Sequence, residues 1–123
     1  MKFFILKFDN GKEIEVLVSA GIFCKRKQIE ECLIEGKGVL IMFLGEKRPF
    51  LWNEGVKYDL DVAALGRDMV VNFVTCLESE STSLAVLPSL SKYILFVKRG
   101  VFKNIGMEVG VVLADIEDVV SEK

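Results

Sequence analysis

The chain has 123 residues, a formal net charge of −2 with no histidine, and 51% hydrophobic against 28% charged residues. This size and composition predict a single folded domain and exclude intrinsic disorder. The small negative charge gives no electrostatic footprint for binding nucleic acid. Because histidine is absent, an enzyme built from this chain would depend on carboxylates, lysine or tyrosine for proton transfer.

The three cysteines, Cys24, Cys32 and Cys76, do not form a Cys-x-x-Cys pair. We therefore expect no zinc site and no cofactor, and we interpret Cys32 and Cys76 as small buried hydrophobic residues. The apolar run at residues 3–6 is too short for a signal peptide, and no run reaches the ~20 apolar residues of a membrane span. These features predict a cytoplasmic protein without membrane contact. Low asparagine and glutamine usage is compatible with a thermophilic source.

Two β-prone runs, residues 3–9 and 13–19, open the chain. Asn10 and Gly11 lie between them, and this dipeptide is a strong hairpin signal because both residues tolerate a positive φ. In the second run apolar residues alternate with mostly polar ones, which is typical of a strand with one buried face. The chain is therefore predicted to begin with a β-hairpin.

The hydrophobic period changes over residues 24–35. Ile29, Cys32 and Leu33 follow the i, i+3, i+4 spacing of one helix face, and charged residues occupy most of the remaining positions. Gly36 follows directly, where a glycine favours the end of a helix. This segment predicts one amphipathic helix.

The remaining chain consists mostly of short apolar runs bounded by turn residues. Polar residues 78–83 predict a mobile loop, and residues 100–106 predict a short C-terminal helical turn. Strands are predicted at residues 39–44, 50–53, 57–65, 68–77, 84–87, 93–98 and 109–119. This order predicts a mainly β single domain, a compact antiparallel β-sandwich or barrel, with a parallel α/β sheet as the weaker alternative.

Several segments, taken in order, resemble the bacterial and archaeal family called domain of unknown function 192. The matching segments are Cys-Leu-Ile at residues 32–34, the apolar strand at 39–43, Leu-Trp at 51–52, Leu-Asp at 60–61, Tyr-Ile-Leu-Phe at 93–96, Gly100, and Gly-Met-Glu-Val-Gly at 106–110. The resemblance covers about residues 21–113. It implies a compact β-sandwich-like domain and no settled activity.

The departures from this family pattern fall on polar positions. Asn-Glu-Gly-Val at residues 53–56 replaces the family's Met-Lys-Asn-Thr, Phe96 stands at a glutamate position, and Val111 stands at an aspartate position. The apolar scaffold is retained while these polar residues are not. If the family has a site built on them, the resemblance implies that this chain has lost or altered it.

Asp59 and Asp61 are two apart on a predicted strand, so their side chains point to the same face with Cα atoms about 7 Å apart. Such a pair can bind a cation or divide acid and base roles. Alternatively, Asp61 organises the turn region through hydrogen bonds, and a tight turn after the strand would place it opposite Asn72. We expect the structural role, with ligand or metal contact and catalysis as alternatives.

Two further features suggest binding. Trp52, together with Tyr58 and Tyr93, has the residue types that line the mouth of an apolar pocket, although core packing is the simpler interpretation. Lys98 and Arg99 precede the predicted helical turn and form the best candidate for an anion site. An ordinary exposed strand end is the alternative for this pair.

These observations support three functional hypotheses. The first is a small ligand-binding or interaction module that presents Trp52, Asp61 and the Lys98 and Arg99 pair around a shallow pocket. The second is a carboxylate-dependent or metal-assisted hydrolase that uses Asp59 and Asp61. The third is a homodimer formed through an exposed β edge or an apolar face, suggested by the mean hydropathy of +0.38.

Overall fold

The computed structural model describes residues 3–20, 26–47, 50–51, 57–79, 85–86 and 90–119. Within these residues most of the chain is β-strand, accompanied by two short helices. In chain order the elements are β1 (Phe3–Phe8), β2 (Glu13–Ala20), α1 (Arg26–Ile34), β3 (Gly38–Lys47), β4 (Phe50–Leu51), β5 (Leu60–Leu65), β6 (Val71–Leu77), β7 (Ala85–Val86), β8 (Ser91–Lys98), α2 (Val101–Ile105) and β9 (Leu113–Asp118).

Seven strands form one sheet in the order β6-β5-β8-β3-β2-β1-β9, and β4 pairs with β7 in a separate ribbon. Neighbouring strands are antiparallel except β2 and β3, which are parallel and are joined through α1. A parallel pair needs a long crossover, and α1 supplies it. The predicted mainly β, compact fold is confirmed, with this one parallel pair inside an otherwise antiparallel sheet.

The sheet curls into a half-barrel. Its two edge strands meet near their first residues, where Val70 forms an antiparallel bridge with Val112. The Val71 N–H donates to the Val111 carbonyl at 2.8 Å. This contact joins β6 to the segment before β9, so the curl is closed at one point of its circumference.

The central strands of the sheet are buried on both faces. An inner cluster contains residues from β6 and from β9, which places it inside the curl; its buried members are Leu6, Phe8, Ile14, Val16, Leu40, Ala63, Leu65, Val71, Tyr93, Leu95, Val97, Phe102, Met107, Val111 and Leu113. An outer cluster lies beneath α1 and consists of Leu17, Cys32, Leu33, Val39, Ile41, Phe43, Leu60, Val62, Ala64, Leu77 and Ile94. Every residue of β5 is buried because this strand lies between β6 and β8 and contributes to both clusters.

The local predictions agree with most elements. The hairpin at Asn10 and Gly11 joins β1 to β2, and α1 ends before Gly36, whose N–H donates to the Leu33 carbonyl at 3.1 Å. β5 and β6 begin about three residues later than predicted. β6 is delayed because the turn after β5 extends to Met69, which has a φ of 67°.

The predicted pairing of Asp61 with Asn72 is wrong. Asp61 lies opposite Cys76, and Leu65 lies opposite Val71. The turn after β5 is longer than predicted, so that Leu65 pairs with Val71, and one extra residue in β6 at Asn72 shifts the register by one more position. The hydrogen bonds of Asp61 therefore had to come from another part of the chain.

Candidate functional site

The candidate site is built around α2, a helix of five residues. A helix this short is unstable by itself, so its contacts with the rest of the protein must hold it. Phe102 is buried in the inner cluster and anchors the helix to the sheet. Gly100 and Gly106 flank the helix with positive φ values of 100° and 62°, a conformation that glycine adopts without strain.

Asp61 binds the N-terminal end of α2. Its side chain shares the inner face with its cross-strand neighbour Val97, and the residue is only 6% exposed. Oδ2 accepts hydrogen bonds from the Gly100 N–H at 2.9 Å and from the Phe102 N–H at 3.4 Å. A carboxylate at this position neutralises the positive end of the helix dipole and satisfies donors that lack partners within the helix.

Asn10 binds the opposite end of α2. Its Nδ2 donates to the Ile105 carbonyl at 2.9 Å and to the Gly106 carbonyl at 3.3 Å. Its Oδ1 accepts from the Lys12 N–H at 2.9 Å, which fixes the side chain within the β1–β2 turn. The sequence indicated only a turn at Asn10, and no local signal pointed to a contact with a helix so far along the chain.

Asp59 organises a second set of contacts beside Asp61. Its Oδ1 accepts from the Ser79 N–H at 2.7 Å, and its Oδ2 lies 3.4 Å from Nη1 of Arg99. Its carbonyl accepts from the Arg99 N–H at 2.9 Å. Asp59 therefore ties the segment before β5 to the segment after β8 and to the end of β6.

Lys98 and Arg99 lie on the surface of this region. The Lys98 Nζ is 4.9 Å from the centre of the Tyr58 ring, a cation–π arrangement. The Arg99 side chain is 60% exposed, and its Nη1 makes a long contact of 3.4 Å with Asp59. The amide groups at the start of α2, which we expected to attract an external anion, donate to Asp61 instead.

Cys76 extends the Asp61 network to the surface. Its Sγ donates to Asp61 Oδ1 at 3.3 Å, and the residue is exposed, so its predicted burial is wrong, whereas Cys32 is buried as predicted. Partial burial of the Cys76 thiol and its hydrogen bond to Asp61 raise its pKa above the ordinary value of 9.0. Both causes favour the neutral thiol over the thiolate.

The two predicted tyrosines lie on different faces of the sheet. Tyr93 belongs to the inner cluster, whereas Tyr58 packs against the outer cluster, so they do not line one pocket together. Trp52 lies outside the described residues. Among the residues that the structure describes, no group of three or more Cys, Asp or Glu side chains is arranged to hold a metal ion.

No protein-family profile and no curated protein matches the chain. Among the solved structures that share its fold are two bacterial proteins. One is a candidate transcription regulator from Sinorhizobium meliloti, with a TM-score of 0.71 and 17% identity over 95% of this chain and 92% of that one. The other is a protein of unknown function from Novosphingobium aromaticivorans, with a TM-score of 0.69 and 11% identity over 94% of this chain and 83% of that one.

No helix in the described part of the chain is long and apolar enough to cross a membrane. At these levels of sequence identity, the two structural neighbours establish a shared fold. The chain is therefore a mainly β domain with the curled-sheet architecture of these two proteins.

Proposed function

We propose that this chain is a small binding domain without catalytic activity, and that Lys98 and Arg99 recognise an anionic group on its ligand or partner. The observation that carries the proposal is that the negative and the positive side chains of this region differ in exposure. The Asp61 carboxylate is buried against α2, while the two cations beside it are exposed. Asp59 and Asp61 then position Arg99 and Gly100, which directly follow Lys98 at the end of β8.

The contacts of the two aspartates favour binding over hydrolysis. Asp61 accepts from Cys76 on one oxygen and from two main-chain amides on the other. Asp59 accepts from Ser79 on one oxygen and from Arg99 on the other. A general base or metal ligand needs a carboxylate oxygen that can reach the substrate or the ion. Asp61 is only 6% exposed, and the more exposed Asp59 is held on both oxygens by the chain's own donors.

Membership of the domain of unknown function 192 family belongs to the same proposal. It is supported by the order of apolar and glycine positions, including Gly100 and residues 106–110, which in this chain enclose α2. The name of the Sinorhizobium meliloti neighbour suggests a regulatory role. The net charge of −2 of this chain favours a domain that binds a ligand or a protein over one that binds nucleic acid. The cytoplasmic location remains part of this proposal.

The test is a titration of isotope-labelled protein followed by NMR, with inorganic phosphate and succinate as probes of anion binding. We expect the amide signals around Lys98 and Arg99 to shift in a saturable manner. The double variant Lys98→Ala, Arg99→Ala should lose this response. Lys12→Ala, which removes an exposed cation from the β1–β2 turn, should retain it.

Two results would contradict the proposal. One is the absence of saturable shifts at this corner with either probe at millimolar concentration. The other is an equal response in the double variant and in the wild type, since the anion would then bind elsewhere. Turnover of model phosphate or carboxylate esters that is abolished by Asp59→Asn would instead favour the hydrolase.

A further inference from the structure

The two edges of the seven-stranded sheet differ in how they are protected. β9 forms one edge and carries Asp115, Glu117 and Asp118, all exposed. The N–H of Ile116 donates to the Asp115 side chain at 2.9 Å, so the strand covers one of its own donors. Charged residues on an edge strand prevent a second strand from pairing with it.

β6 forms the other edge and carries no charged residue, and its irregularity at Asn72 lies beside the contact that engages Val71. Its sequence, Val-Asn-Phe-Val-Thr-Cys-Leu, contains no charged residue, proline or glycine, and its β-branched and aromatic side chains favour strand pairing. The contact with residues 110–111 engages Val71, the first residue of the strand. In the described part of the chain, residues 72–77 continue along the sheet edge.

The surroundings of this edge are partly apolar. Phe73, Val74 and Thr75 are half-buried in the single chain, so a strand laid beside them would cover additional surface of their side chains. Val109 is 62% exposed and directly precedes Gly110, which bonds to Val71 at the start of the edge. An exposed valine beside an uncharged edge extends the apolar surface available to an incoming strand.

We propose that a second copy of this chain pairs with β6 through its own β6, in an antiparallel arrangement about a two-fold axis. A two-fold axis brings the same strand of each subunit together in opposite directions, and the main-chain groups of the two edges then satisfy each other. Because β6 has no charge, self-pairing meets no like-charge repulsion, whereas two β9 edges would bring acidic residues together.

The absence of charge on β6 therefore favours this edge over the acidic β9 edge for pairing between two copies of the chain. An interface built on one strand pair is small, so the dimer should be weak and reversible, with a dissociation constant on the order of micromolar or weaker.

The experiment is sedimentation velocity over a range of protein concentrations, from micromolar to millimolar. We expect a reversible monomer–dimer equilibrium. Thr75→Lys places a cation on β6 and should weaken self-association by on the order of tenfold. The matched control Ala114→Lys places the same charge on the exposed β9 edge and should leave the equilibrium unchanged. Melting curves of both variants verify that they remain folded.

Hydrogen exchange on the wild type supplies a second test that requires no variant. Amides of residues 72–77 should exchange more slowly at high than at low protein concentration, while those of β9 should not depend on concentration. A chain that stays monomeric at millimolar concentration would overturn the proposal. The β6 edge would then be expected to pair with an extended segment of a different protein. A dimer unaffected by Thr75→Lys, with unchanged exchange in β6, would also overturn it.

Discussion

Asp61 and Asn10 hold the two ends of the same short helix. The Asp61 carboxylate accepts from the amides at the start of α2, and the Asn10 amide donates to the carbonyls at its end. The acceptor lies at the positive end of the helix dipole and the donor at its negative end, so each contact is electrostatically favourable. The β5 strand and the β1–β2 turn are thereby connected through α2.

Asp61→Asn should destabilise the protein by about 1–2 kcal/mol, which corresponds to a fall of roughly 3–8 °C in melting temperature. The physical reason is loss of the charge in a buried carboxylate that accepts hydrogen bonds from Gly100 and Phe102. Thermal unfolding followed by circular dichroism measures the effect. Glu108→Gln removes the same charge at an exposed position and should leave the melting temperature nearly unchanged. An unchanged curve for Asp61→Asn, combined with lost anion binding, would contradict the structural role.

Asn10→Ala should destabilise the protein by about 1 kcal/mol, because the carbonyls of Ile105 and Gly106 lose their side-chain donor. Amide exchange in α2 should accelerate more than exchange in β3. The double variant with Asp61→Asn should be less destabilised than the sum of the two single variants, since both act through α2. Strict additivity would show that the two contacts are energetically independent.

Cys76 should react slowly with iodoacetamide. Its pKa is raised by burial and by Asp61, so at pH 8 the thiolate fraction is smaller than in an ordinary cysteine. The rate should rise with pH to a midpoint above that of a free cysteine, and Asp61→Asn should lower this midpoint. Mass spectrometry of the peptide that contains Cys76 follows the reaction. A midpoint at or below the free-cysteine value would be evidence against the Asp61 contact.

The same shift predicts a dependence of stability on pH. A thiol whose pKa is higher in the folded than in the unfolded state stabilises the fold, and this stabilisation is fully present at pH values below the pKa of the unfolded state. This stabilisation is lost as the pH rises from the ordinary cysteine pKa of 9.0 through the pKa of Cys76 in the folded state. The free energy of unfolding of wild type should therefore decline more steeply in this range than that of Cys76→Ser, as measured by denaturant unfolding.

Lys37 should stabilise the junction between α1 and β3 in a salt-dependent manner. Its ammonium lies 2.9 Å from Glu15 and 3.0 Å from Glu35, and it is 4.5 Å from the centre of the Phe3 ring. Hydrogen bonds to both glutamates raise the Lys37 pKa.

Lys37→Gln should therefore destabilise the protein by up to about 1 kcal/mol at low ionic strength, and by less at high salt. Lys7→Gln breaks the single, more exposed pair with Glu117 and should have a smaller effect. Denaturant unfolding at two salt concentrations measures both. Equal losses for the two variants would argue against a special role for Lys37.

The predictions that succeeded depend on neighbours in sequence. The turn at Asn10 and Gly11, the helix end at Gly36 and the strand character of β8 all follow from residues within a few positions of one another. The irregularity at Asn72 was missed because a strand pattern does not reveal where one extra residue enters a register. The exposure of Cys76 was missed because its sequence neighbours are mostly apolar, which suggested burial. The position of β6 at the sheet edge, which exposes Cys76, is set by the tertiary structure.

The sequence by itself determined the strands, the turns, the amphipathic α1 and the absence of histidine chemistry. Tertiary structure decided which strands became edges, that β2 and β3 run parallel, and that Asp61 and Asn10 would meet α2. The donor and acceptor of the Gly100–Asp61 bond are 39 positions apart, and those of the Asn10–Ile105 bond are 95 apart. Local preferences act over a few residues, whereas these contacts form only once the whole sheet has brought distant segments together.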